Sequence, residues 1–416
     1  MSRCRVVITG LGTVNPVAHD VPLFWAGLLA GKTGIRAISR FDAAPFASRI
    51  GGQIVDWAGP PVDMVDPREA RRMDPFTQYA TAAAIEAVRD SGIVFDPAKA
   101  RRYACIIGTG IGGLMTLQEQ HEIMMARGVT RVSPLTVPKM MGNAAAGTIS
   151  ILYGLTGVSY ATVTACASAA NAVGEAMALL QRGGADAVIT GGSEAALTEI
   201  GLASFCALKG LSTRNDDPAH ASRPWDKDRD GFLLAEGAGV VILETLDHAK
   251  ARGAKIYAEL VGFGATCDAY HITAPSPEGT GACDAMILAL EDAAIAPDQI
   301  GYINAHGTST ELGDMAETVA IKKAFGDYAT HGLMVSSTKS LTGHMLGASG
   351  GAELVACCKA MQDGVLPGTW NLDNPSDGCD LDYIPNQSRQ KKVQYILSNS
   401  FGFGGHNACL IVKRFE

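Results

Sequence analysis

A cysteine stands where a β-rich stretch changes abruptly into an alanine-rich one. In the segment TVTACASA, residues 162–169, Cys166 falls at the expected start of a helix. The unpaired N–H groups and the positive dipole end of a helix start lower the pKa of a thiol and favour the thiolate. Small neighbours such as Ala165 and Ala167 let a carbonyl group approach the backbone amides. Cys166 is therefore a candidate nucleophile, and a buried structural cysteine is the alternative, because cysteine is so often buried.

Two histidines lie in polar, glycine-rich loops later in the chain. His306 follows a strand and precedes a glycine and three hydroxyl residues, in NAHGTST at 304–310. His344 lies in STKSLTGHMLGASG at 337–350, ahead of an apolar helix. Loops that follow strands commonly bind ligands. For His306 the alternative is a loop histidine that bonds a nearby backbone group.

The apolar helix that follows His344 contains a carboxylate, Glu353. A buried carboxylate needs a partner, and Lys339 in the preceding loop is the obvious cation. The sequence therefore predicts an ion pair between Lys339 and Glu353 close to His344.

Near the end of the chain, NSFGFGGHN at 399–407 spaces Phe401 and Phe403 with glycines. Such a segment predicts a mobile loop that is able to cover a site. One cysteine and two histidines in separate glycine-rich loops favour thioester chemistry. Peptidase chemistry needs one base and one orienting group, whereas two neutral histidines suit paired hydrogen-bond donors to a thioester carbonyl that becomes an enolate.

A GxGxxG segment at 108–113 follows a strand and is the one motif that favours a dinucleotide site. Such a site usually has an acidic residue about 20 positions later, at the end of a second strand. Here the next segment predicts a helix, and residues 127–131 contain no acid. The motif therefore favours a tight turn lining a pocket over NAD binding.

The elements that must position these residues alternate between short β-branched runs and alanine-rich helices, which predicts an α/β fold with helices covering central sheets. Strands are predicted at 5–9, 103–107, 159–163, 187–190, 239–243, 300–304, 395–398 and 408–412, and helices at 76–91, 165–182, 282–294, 314–325 and 347–362. A faint internal repeat links IIGTG at 106–110 with INAHGTST at 303–310, and the helix near 165–182 with that near 347–362. It suggests two similar halves that share one core.

Composition narrows the class of protein. The 416 residues are 47% hydrophobic and 18% charged, which supports a large core and excludes a disordered chain. A net charge of −8 argues against a general nucleic-acid binder. The ten cysteines form no CxxC pair, so we expect a reduced, cytoplasmic protein. We expect no signal peptide and no membrane span, because no apolar run is long enough.

The motifs around Cys166, His306 and His344, together with the segment at 399–407, resemble those of a β-ketoacyl-acyl carrier protein synthase, and the elongating type II form is the most similar. The resemblance covers essentially the whole chain, including residues 222–239 and 268–277. It implies a thiolase-like five-layer αβαβα fold made of two duplicated halves. Residues 1–255 would carry the nucleophile and residues 256–416 the two histidines. It also implies a homodimer.

The resemblance implies a role for each catalytic side chain. Cys166 would take an acyl chain from acyl carrier protein as a thioester. The backbone N–H groups of Cys166 and Phe403 would form the oxyanion hole. His306 and His344 would hold the malonyl thioester carbonyl while carbon dioxide leaves, and the carbanion would attack the acyl group to give a 3-ketoacyl product two carbons longer. Lys339 and Glu353 would form a buried pair that orients His344.

The resemblance also implies binding residues. No cofactor would be required, because the phosphopantetheine arm arrives on the carrier protein. The gate would be formed by Phe401 and Phe403, the phosphopantetheine contacts by Thr273, Thr308 and Thr310, and the acyl pocket wall by Ile111 and Phe205. Basic residues for docking the acidic carrier would be Arg68, Arg71, Arg72, Arg131 and Lys209. Some members of the family hold a structural monovalent cation, Na⁺ or K⁺, and the matching residues here are Asn304, Glu353, Ser398 and Asn407.

The chain departs from the family pattern at two places. The gate loop ends GGHN rather than GGTN, which introduces His406. The segment at 133–138 carries Leu135 and Thr136 where the fatty-acid enzymes often carry phenylalanine. The preferred chain length is therefore open, and a ketosynthase of a specialised polyketide or polyene pathway is the alternative function.

Two further classes of protein are disfavoured. A non-catalytic partner subunit typically lacks the nucleophile, and Cys166 is intact. A degradative thiolase would need a second catalytic cysteine near the C-terminus, but Cys409 lies in the strand-like run ACLIV.

Overall fold

The computed structural model describes residues 3–416. Within these residues, ten of fourteen strands form one continuous sheet, and the other four form two separate two-stranded sheets. Short β-branched and glycine-rich runs give the central strands their extended, buried character. The strands are β1 (Val6–Val14), β2 (Arg36–Ala37), β3 (Ile50–Gly51), β4 (Tyr103–Gly108), β5 (Ser159–Tyr160), β6 (Ala187–Glu194), β7 (Gly237–Thr245), β8 (Ala258–Cys267), β9 (Ile300–Asn304), β10 (Met334–Ser336), β11 (Val365–Leu366), β12 (Arg389–Gln390), β13 (Tyr395–Gly402) and β14 (His406–Arg414).

The sheet consists of two groups of five strands with the same internal order. The first group runs β5-β4-β6-β7-β1 and the second β10-β9-β13-β14-β8. In each group the first three strands are parallel to one another. The fourth strand pairs antiparallel with the third, and the fifth pairs antiparallel with the fourth. The groups join where β1 and β8 pair antiparallel, with Val6 opposite Leu260. Numbered by position within its own group, each set has the order 3-2-4-5-1, so the faint internal repeat of the sequence corresponds to a repeat of topology.

The helices are α1 (Val21–Ala30), α2 (Pro67–Ala70), α3 (Pro75–Ser91), α4 (Leu114–Arg127), α5 (Thr136–Met140), α6 (Ala144–Tyr153), α7 (Ser168–Gln181), α8 (Glu199–Ala207), α9 (Leu246–Ala251), α10 (Thr280–Ala293), α11 (Glu311–Phe325), α12 (Tyr328–His331), α13 (Lys339–Thr342) and α14 (Ser349–Asp363). Helices α7 and α14 contact each other and strands of both groups. Helices α3 and α6 pack on the first group and α10 on the second, where α11 packs against α10. The layers therefore alternate helix, strand, helix, strand, helix, which confirms the predicted α/β fold class.

The predicted helices at 76–91, 282–294 and 314–325 agree with α3, α10 and α11 within a few residues. Two starts differ. A 3-10 turn, Ala165–Ala167, precedes α7, and another, Leu346–Ala348, precedes α14. The predicted strand at 159–163 is only Ser159–Tyr160, and the long strand β8 was not predicted. Among residues 3–416, no helix combines the length and the apolar character that crossing a membrane requires.

A half-buried carboxylate on α3 makes the stability of this fold depend on pH. Glu86 accepts the backbone N–H groups of Thr13, at 2.8 Å, and Val21, at 2.7 Å. Burial raises its pKa from 4.5 to about 7. The folded chain therefore keeps a proton between these values that the unfolded chain has lost, and the free energy of unfolding falls as pH rises through this range. We expect Glu86→Gln to reduce the fall between pH 5 and pH 8, measured by urea unfolding.

Burial also raises the pKa values of Glu194 and Asp314 to about 7, so the Glu86 variant should reduce the slope without abolishing it. The exposed Glu69→Gln serves as a control that leaves the slope unchanged, since Glu69 lies at the surface. An identical slope in wild type and Glu86→Gln would contradict this assignment.

Candidate active site

Cys166 lies in the 3-10 turn between β5 and α7, with its side chain buried at one end of a cavity. Ala165 adopts a left-handed conformation with φ of 50°, which turns the chain sharply before the helix. The end of β13 packs directly against this turn. A Cβ atom on Gly402 would lie 2.9 Å from the backbone nitrogen of Cys166, so only glycine fits at that position.

The thiol faces the imidazole of His344. Cys166 Sγ lies 3.0 Å from His344 Nε2, and His344 Nδ1 lies 3.1 Å from the hydroxyl oxygen of Ser349. Burial and the charge of Lys339 hold the pKa of His344 well below its usual range, so the ring is neutral. A neutral ring can accept the thiol proton.

The expectation that the helix start lowers the pKa of Cys166 is wrong for the free protein. Burial raises the pKa of the thiol to about 12, although the N–H groups of Phe403 and Cys166 and the charge of Lys339 each lower it. The helix proper begins two residues later, at Ser168. Desolvation of the thiolate therefore outweighs the favourable amides, and the resting thiol keeps its proton. The backbone N–H groups of Phe403 and Cys166 both face the sulfur.

His306 lies beside His344 with its ring nearly perpendicular, the ring centroids being 5.2 Å apart. The backbone N–H groups of His306 and Gly307 donate to the carboxylate of Glu317, at 2.9 and 2.7 Å. Burial, Lys339 and His344 hold the pKa of His306 well below its usual range. No hydrogen bond joins its ring to another of residues 3–416, and the ring lines the cavity. The alternative of a ring bonded to the backbone is therefore wrong.

Lys339 and Glu353 form the expected buried ion pair, with side chains 1% and 3% exposed. The pair does not hydrogen-bond to His344, whose ring is held by Ser349 instead. Lys339 acts on both histidines through its charge. The sequence therefore predicted the pair, but the contact that orients His344 comes from another residue.

Glu317 and Ser349 are the site residues that the sequence analysis missed. Glu317 lies eleven residues after His306 on α11, in GDMAE, where a buried carboxylate could have been suspected. Ser349 is harder to predict as a site residue, because a small polar residue in a segment such as GASG occurs in many structural settings.

The GxGxxG turn is a wall of the cavity, as expected. Gly110 and Ile111 line it, and their backbone N–H groups donate to the carboxylate of Glu194, at 2.7 and 3.2 Å. In a dinucleotide site these amides would bind a pyrophosphate. Here a buried carboxylate already binds them, which excludes the NAD alternative.

The cavity has a volume of about 800 Å³. It brings most of the predicted binding residues together around the thiol and the two histidines. These are Ile111, Phe205, Thr273, Thr308, Thr310, Phe401, Phe403 and Lys209. The other basic residues named for carrier docking, Arg68, Arg71, Arg72 and Arg131, are exposed and lie outside the cavity lining.

The gate segment is tied to the loop at 268–276. Gly404 donates its N–H to the carbonyl of Ile272, at 2.7 Å, and Asp268 donates to the carbonyl of Gly405, at 2.9 Å. The ring of Phe401 lies 5.8 Å from that of His306 between centroids. His406 pairs with Gly402 across the β13–β14 hairpin, and its ring packs against Gly404. Motion of the gate would therefore have to break contacts with the neighbouring loop.

The four residues named for a monovalent cation do not all come together. Asn304 pairs with Ser398 across β9 and β13, and the buried oxygens Asn304 Oδ1 and Glu353 Oε2 have no hydrogen-bond partner among residues 3–416. Asn407 instead donates to Asp268 and Thr266. Because Phe401 pairs with Asn407, this residue lies three positions, roughly 10 Å, along the strand from Ser398. Asn407 is therefore excluded from the set.

In the described part of the chain, no group of three or more histidine, cysteine or acidic side chains is arranged to hold a metal ion. Cys409 is buried in β14, where its Sγ lies 3.1 Å from Asn399 Oδ1, and it does not line the cavity. The observation disfavours the thiolase alternative.

With this fold and site established, comparison with known proteins assigns the class. Residues 3–249 match the beta-ketoacyl synthase N-terminal domain, and residues 257–373 match the beta-ketoacyl synthase C-terminal domain. The chain belongs to the beta-ketoacyl synthase family.

Relatives that match over the full length of the chain carry a more specific name than the family. It is 49% identical to the 3-oxoacyl-[acyl-carrier-protein] synthase 2 of Synechocystis sp. over 416 residues, covering 100% of this chain and 99% of that protein. The synthase 2 of Coxiella burnetii is 47% identical over 414 residues, with 100% and 99% covered.

Solved structures show the same fold. A beta-ketoacyl synthase from Burkholderia phymatum superposes with a TM-score of 0.92 at 35% identity, covering 99% of this chain and 100% of that one. A type II polyketide synthase ketosynthase, in complex with its acyl-carrier protein, gives a TM-score of 0.92 at 33% identity, with both chains fully covered. The fold is thus the thiolase-like fold of the ketosynthases.

Proposed function

We propose that this chain is a 3-oxoacyl-[acyl-carrier-protein] synthase, an acyltransferase that elongates fatty acyl chains by two carbons. The observation that carries the proposal is the thiol of Cys166 at 3.0 Å from a neutral His344, with His306 beside it in one cavity. Full-length identity of 47–49% to proteins named 3-oxoacyl-[acyl-carrier-protein] synthase 2 supports the substrate class.

The first half-reaction transfers an acyl group to Cys166. His344 Nε2 accepts the thiol proton as the sulfur attacks the thioester carbonyl of the acyl-loaded carrier. The N–H groups of Cys166 and Phe403 donate to the oxyanion. The phosphopantetheine thiolate then leaves with the proton from His344, and the acyl group remains as a thioester on Cys166.

The second half-reaction forms a carbon–carbon bond. His306 and His344 donate hydrogen bonds to the thioester carbonyl of malonyl-loaded carrier, and carbon dioxide leaves with cleavage of the malonyl carbon–carbon bond. The positive charge of Lys339, buried nearby, stabilises the resulting enolate. The enolate carbon attacks the acyl carbonyl, Cys166 leaves as thiolate, and a 3-ketoacyl chain is formed on the carrier.

The experiment that tests this function is intact mass measurement after incubation with carrier protein loaded with acyl chains of increasing length. We expect a mass gain on the wild type, none on Cys166→Ala, and loss of the gain with appearance of 3-ketoacyl-carrier when malonyl-carrier is added. Loading of folded Cys166→Ala would identify a different nucleophile. Failure to load any saturated chain would favour the specialised pathway.

The alternative is a ketosynthase of a specialised polyketide or polyene pathway. The type II polyketide synthase ketosynthase is 33% identical to this chain, and so is the ishigamide ketosynthase/chain length factor. Leu135 and Thr136 lie outside the cavity lining of a single chain, with Leu135 exposed. The higher identity to the synthase 2 proteins favours fatty acyl elongation.

Carrier docking is proposed at a basic surface. The structure neighbour with a bound acyl-carrier protein supports an acyl carrier protein as partner. Arg68, Arg71 and Arg72 are exposed around α2, and Lys209 lies at the cavity. The side chains of Thr273, Thr308 and Thr310 in the cavity fit the phosphopantetheine arm that the carrier brings, and no other cofactor is invoked.

Reversing the charge of Arg68, Arg71 and Arg72 together should raise KM for carrier-bound substrate by roughly tenfold, because complementary charge steers encounter. Steady-state kinetics with acyl-pantetheine, which lacks the carrier, serve as the control and should not change. Unchanged KM for both substrates would contradict docking at α2.

A homodimer is also proposed. Within the described residues, β5 is an edge strand that pairs only with β4. Exposed apolar side chains lie close to it in the sequence, on or directly after α5, on α6 and in the turn before Cys166. They are Val137, Met141, Ile151 and Val163. An open strand edge with apolar neighbours favours a protein partner. Light scattering should give twice 43.3 kDa, and a monomeric mass would contradict the proposal.

A monovalent cation site, a reducing compartment and a division into two halves are also proposed. A structural monovalent cation would be held by Asn304 Oδ1, Glu353 Oε2 and the neighbouring Ser398, because two buried oxygens there have no hydrogen-bond partner among residues 3–416.

All ten cysteines are free, one of them the nucleophile, which favours a reducing compartment, the cytoplasm. We take the two halves as residues 1–255 and 256–416, which the repeated strand order supports.

A further inference from the structure

Ser349, the first residue of α14, lies behind the catalytic pair of Cys166 and His344. Its hydroxyl oxygen accepts the backbone N–H of Met345, at 3.0 Å, and lies 3.1 Å from His344 Nδ1. The side chain is buried, so water does not compete for these bonds. Within residues 3–416, His344 Nδ1 is the one acceptor within reach of the Ser349 hydroxyl hydrogen.

The first half of the chain contains an equivalent serine that has no histidine five positions before it. Ser168 is the first residue of α7, and its hydroxyl oxygen likewise accepts the backbone N–H of a residue four positions earlier, Thr164, at 2.9 Å. The Ser168 hydroxyl then donates to the carbonyl of Ala165, at 2.7 Å. Five positions before each serine stand Val163 and His344. In the second half the hydroxyl is therefore directed to the ring and not to the backbone.

We propose that Ser349 is a positioning residue that holds the ring of His344 in both of its neutral tautomers, an inference that rests on the proposed function. The two half-reactions ask opposite things of His344 Nε2. In acyl transfer it must accept the thiol proton, so the ring hydrogen belongs on Nδ1. In decarboxylation it must donate to the thioester carbonyl, so the ring hydrogen belongs on Nε2.

A serine hydroxyl suits both forms because it is a donor and an acceptor. It accepts from Nδ1–H in the first step and donates to bare Nδ1 in the second, while it keeps the N–H of Met345. A backbone carbonyl would hold only the first form. Exchange between the neutral forms moves the ring proton from one nitrogen to the other, so the ring charge stays at zero.

The test compares Ser349→Ala with Ser349→Thr, which keeps the hydroxyl. For Ser349→Ala we expect kcat for condensation of dodecanoyl- and malonyl-carrier to fall about tenfold to a hundredfold with KM unchanged, because the partner of the ring nitrogen is lost. Ser349→Thr should recover most of kcat. The ¹⁵N shifts of His344, identified by their loss in His344→Gln, should show a changed tautomer ratio in Ser349→Ala only.

Ser91→Ala is the matched control. The hydroxyl of Ser91 also accepts one backbone N–H, from Ile93, and donates to one carbonyl, that of Val88, far from the cavity in the fold. It should lose similar stability and keep kcat. Unchanged kcat and ¹⁵N shifts in Ser349→Ala, with active wild type, would overturn the proposal. A wild type that performs no condensation would instead overturn the proposed function.

Discussion

Replacing His344 by alanine should slow acyl loading of Cys166 by about a hundredfold to ten-thousandfold at pH 7, the usual range for the loss of a general base. The reason is the thiol pKa of about 12. A free thiol with that pKa is ionised in only about one molecule in 10⁵ at pH 7, so the reaction depends on a base that removes the proton during attack. His344 Nε2, 3.0 Å from the sulfur, is that base.

The pH dependence separates this explanation from simple damage to the cavity. In His344→Ala the loading rate should rise about tenfold for each pH unit between 7 and 9, as the thiolate fraction rises, whereas the wild-type rate should change little. Time-resolved intact mass measurement gives both rates. His306→Ala is the control, because His306 does not contact the sulfur: it should load at a near-normal rate and fail in condensation. Equal loading by His344→Ala and wild type would refute the role of base.

Replacing Lys339 by methionine should reduce the free energy of unfolding by about 3–5 kcal/mol, the usual effect of removing one partner of a buried ion pair. The carboxylate of Glu353 would remain buried without its cation, with one oxygen already lacking a hydrogen-bond partner. Burial raises the pKa of Glu353 and the charge of Lys339 lowers it, so the variant should bind a proton there. Its stability should then fall more steeply than that of the wild type as pH rises.

A double variant supplies the control for this prediction. Lys339→Met with Glu353→Gln removes both charges, and it should recover most of the lost stability in urea unfolding because no uncompensated charge is left. Condensation should stay impaired, because the positive charge near His306 and His344 is missing in both variants. A Lys339→Met protein as stable as the wild type would show that the pair contributes nothing to folding.

The sequence revealed the chemistry of this site more fully than its geometry. Cys166 stands out because it falls where a predicted strand changes into a predicted helix, and His306 because it follows a predicted strand in a loop of glycine and hydroxyl residues. His344 stands out in a glycine-rich loop ahead of an apolar helix. Glu353 reveals Lys339 because a carboxylate in an apolar helix needs a cation. The pKa of Cys166 could not be predicted in this way. It depends on how much water the surrounding loops exclude, and those loops come from distant parts of the chain.

Long-range contacts explain the other differences. Ser349 gives no local signal that its hydroxyl faces a histidine, since the same residue type at Ser168 bonds the backbone. Asn407 was grouped with Asn304 and Ser398 from motif similarity, but strand register places it elsewhere. The pairing of β1 with β8, which joins the two groups of strands, involves segments about 250 residues apart and no turn signal marks it.

The position of β14 has a consequence for how the protein is made. This strand follows all the other strands in the sequence, yet it lies inside the sheet, between β13 and β8. Until it is released, β8 and β13 have open edges in the middle of the molecule, and the buried helices α7 and α14 lack part of their cover. Completion of the sheet therefore awaits the synthesis of residues 406–414, and a nascent chain stalled before them would be a substrate for chaperones and proteases rather than a partly active enzyme.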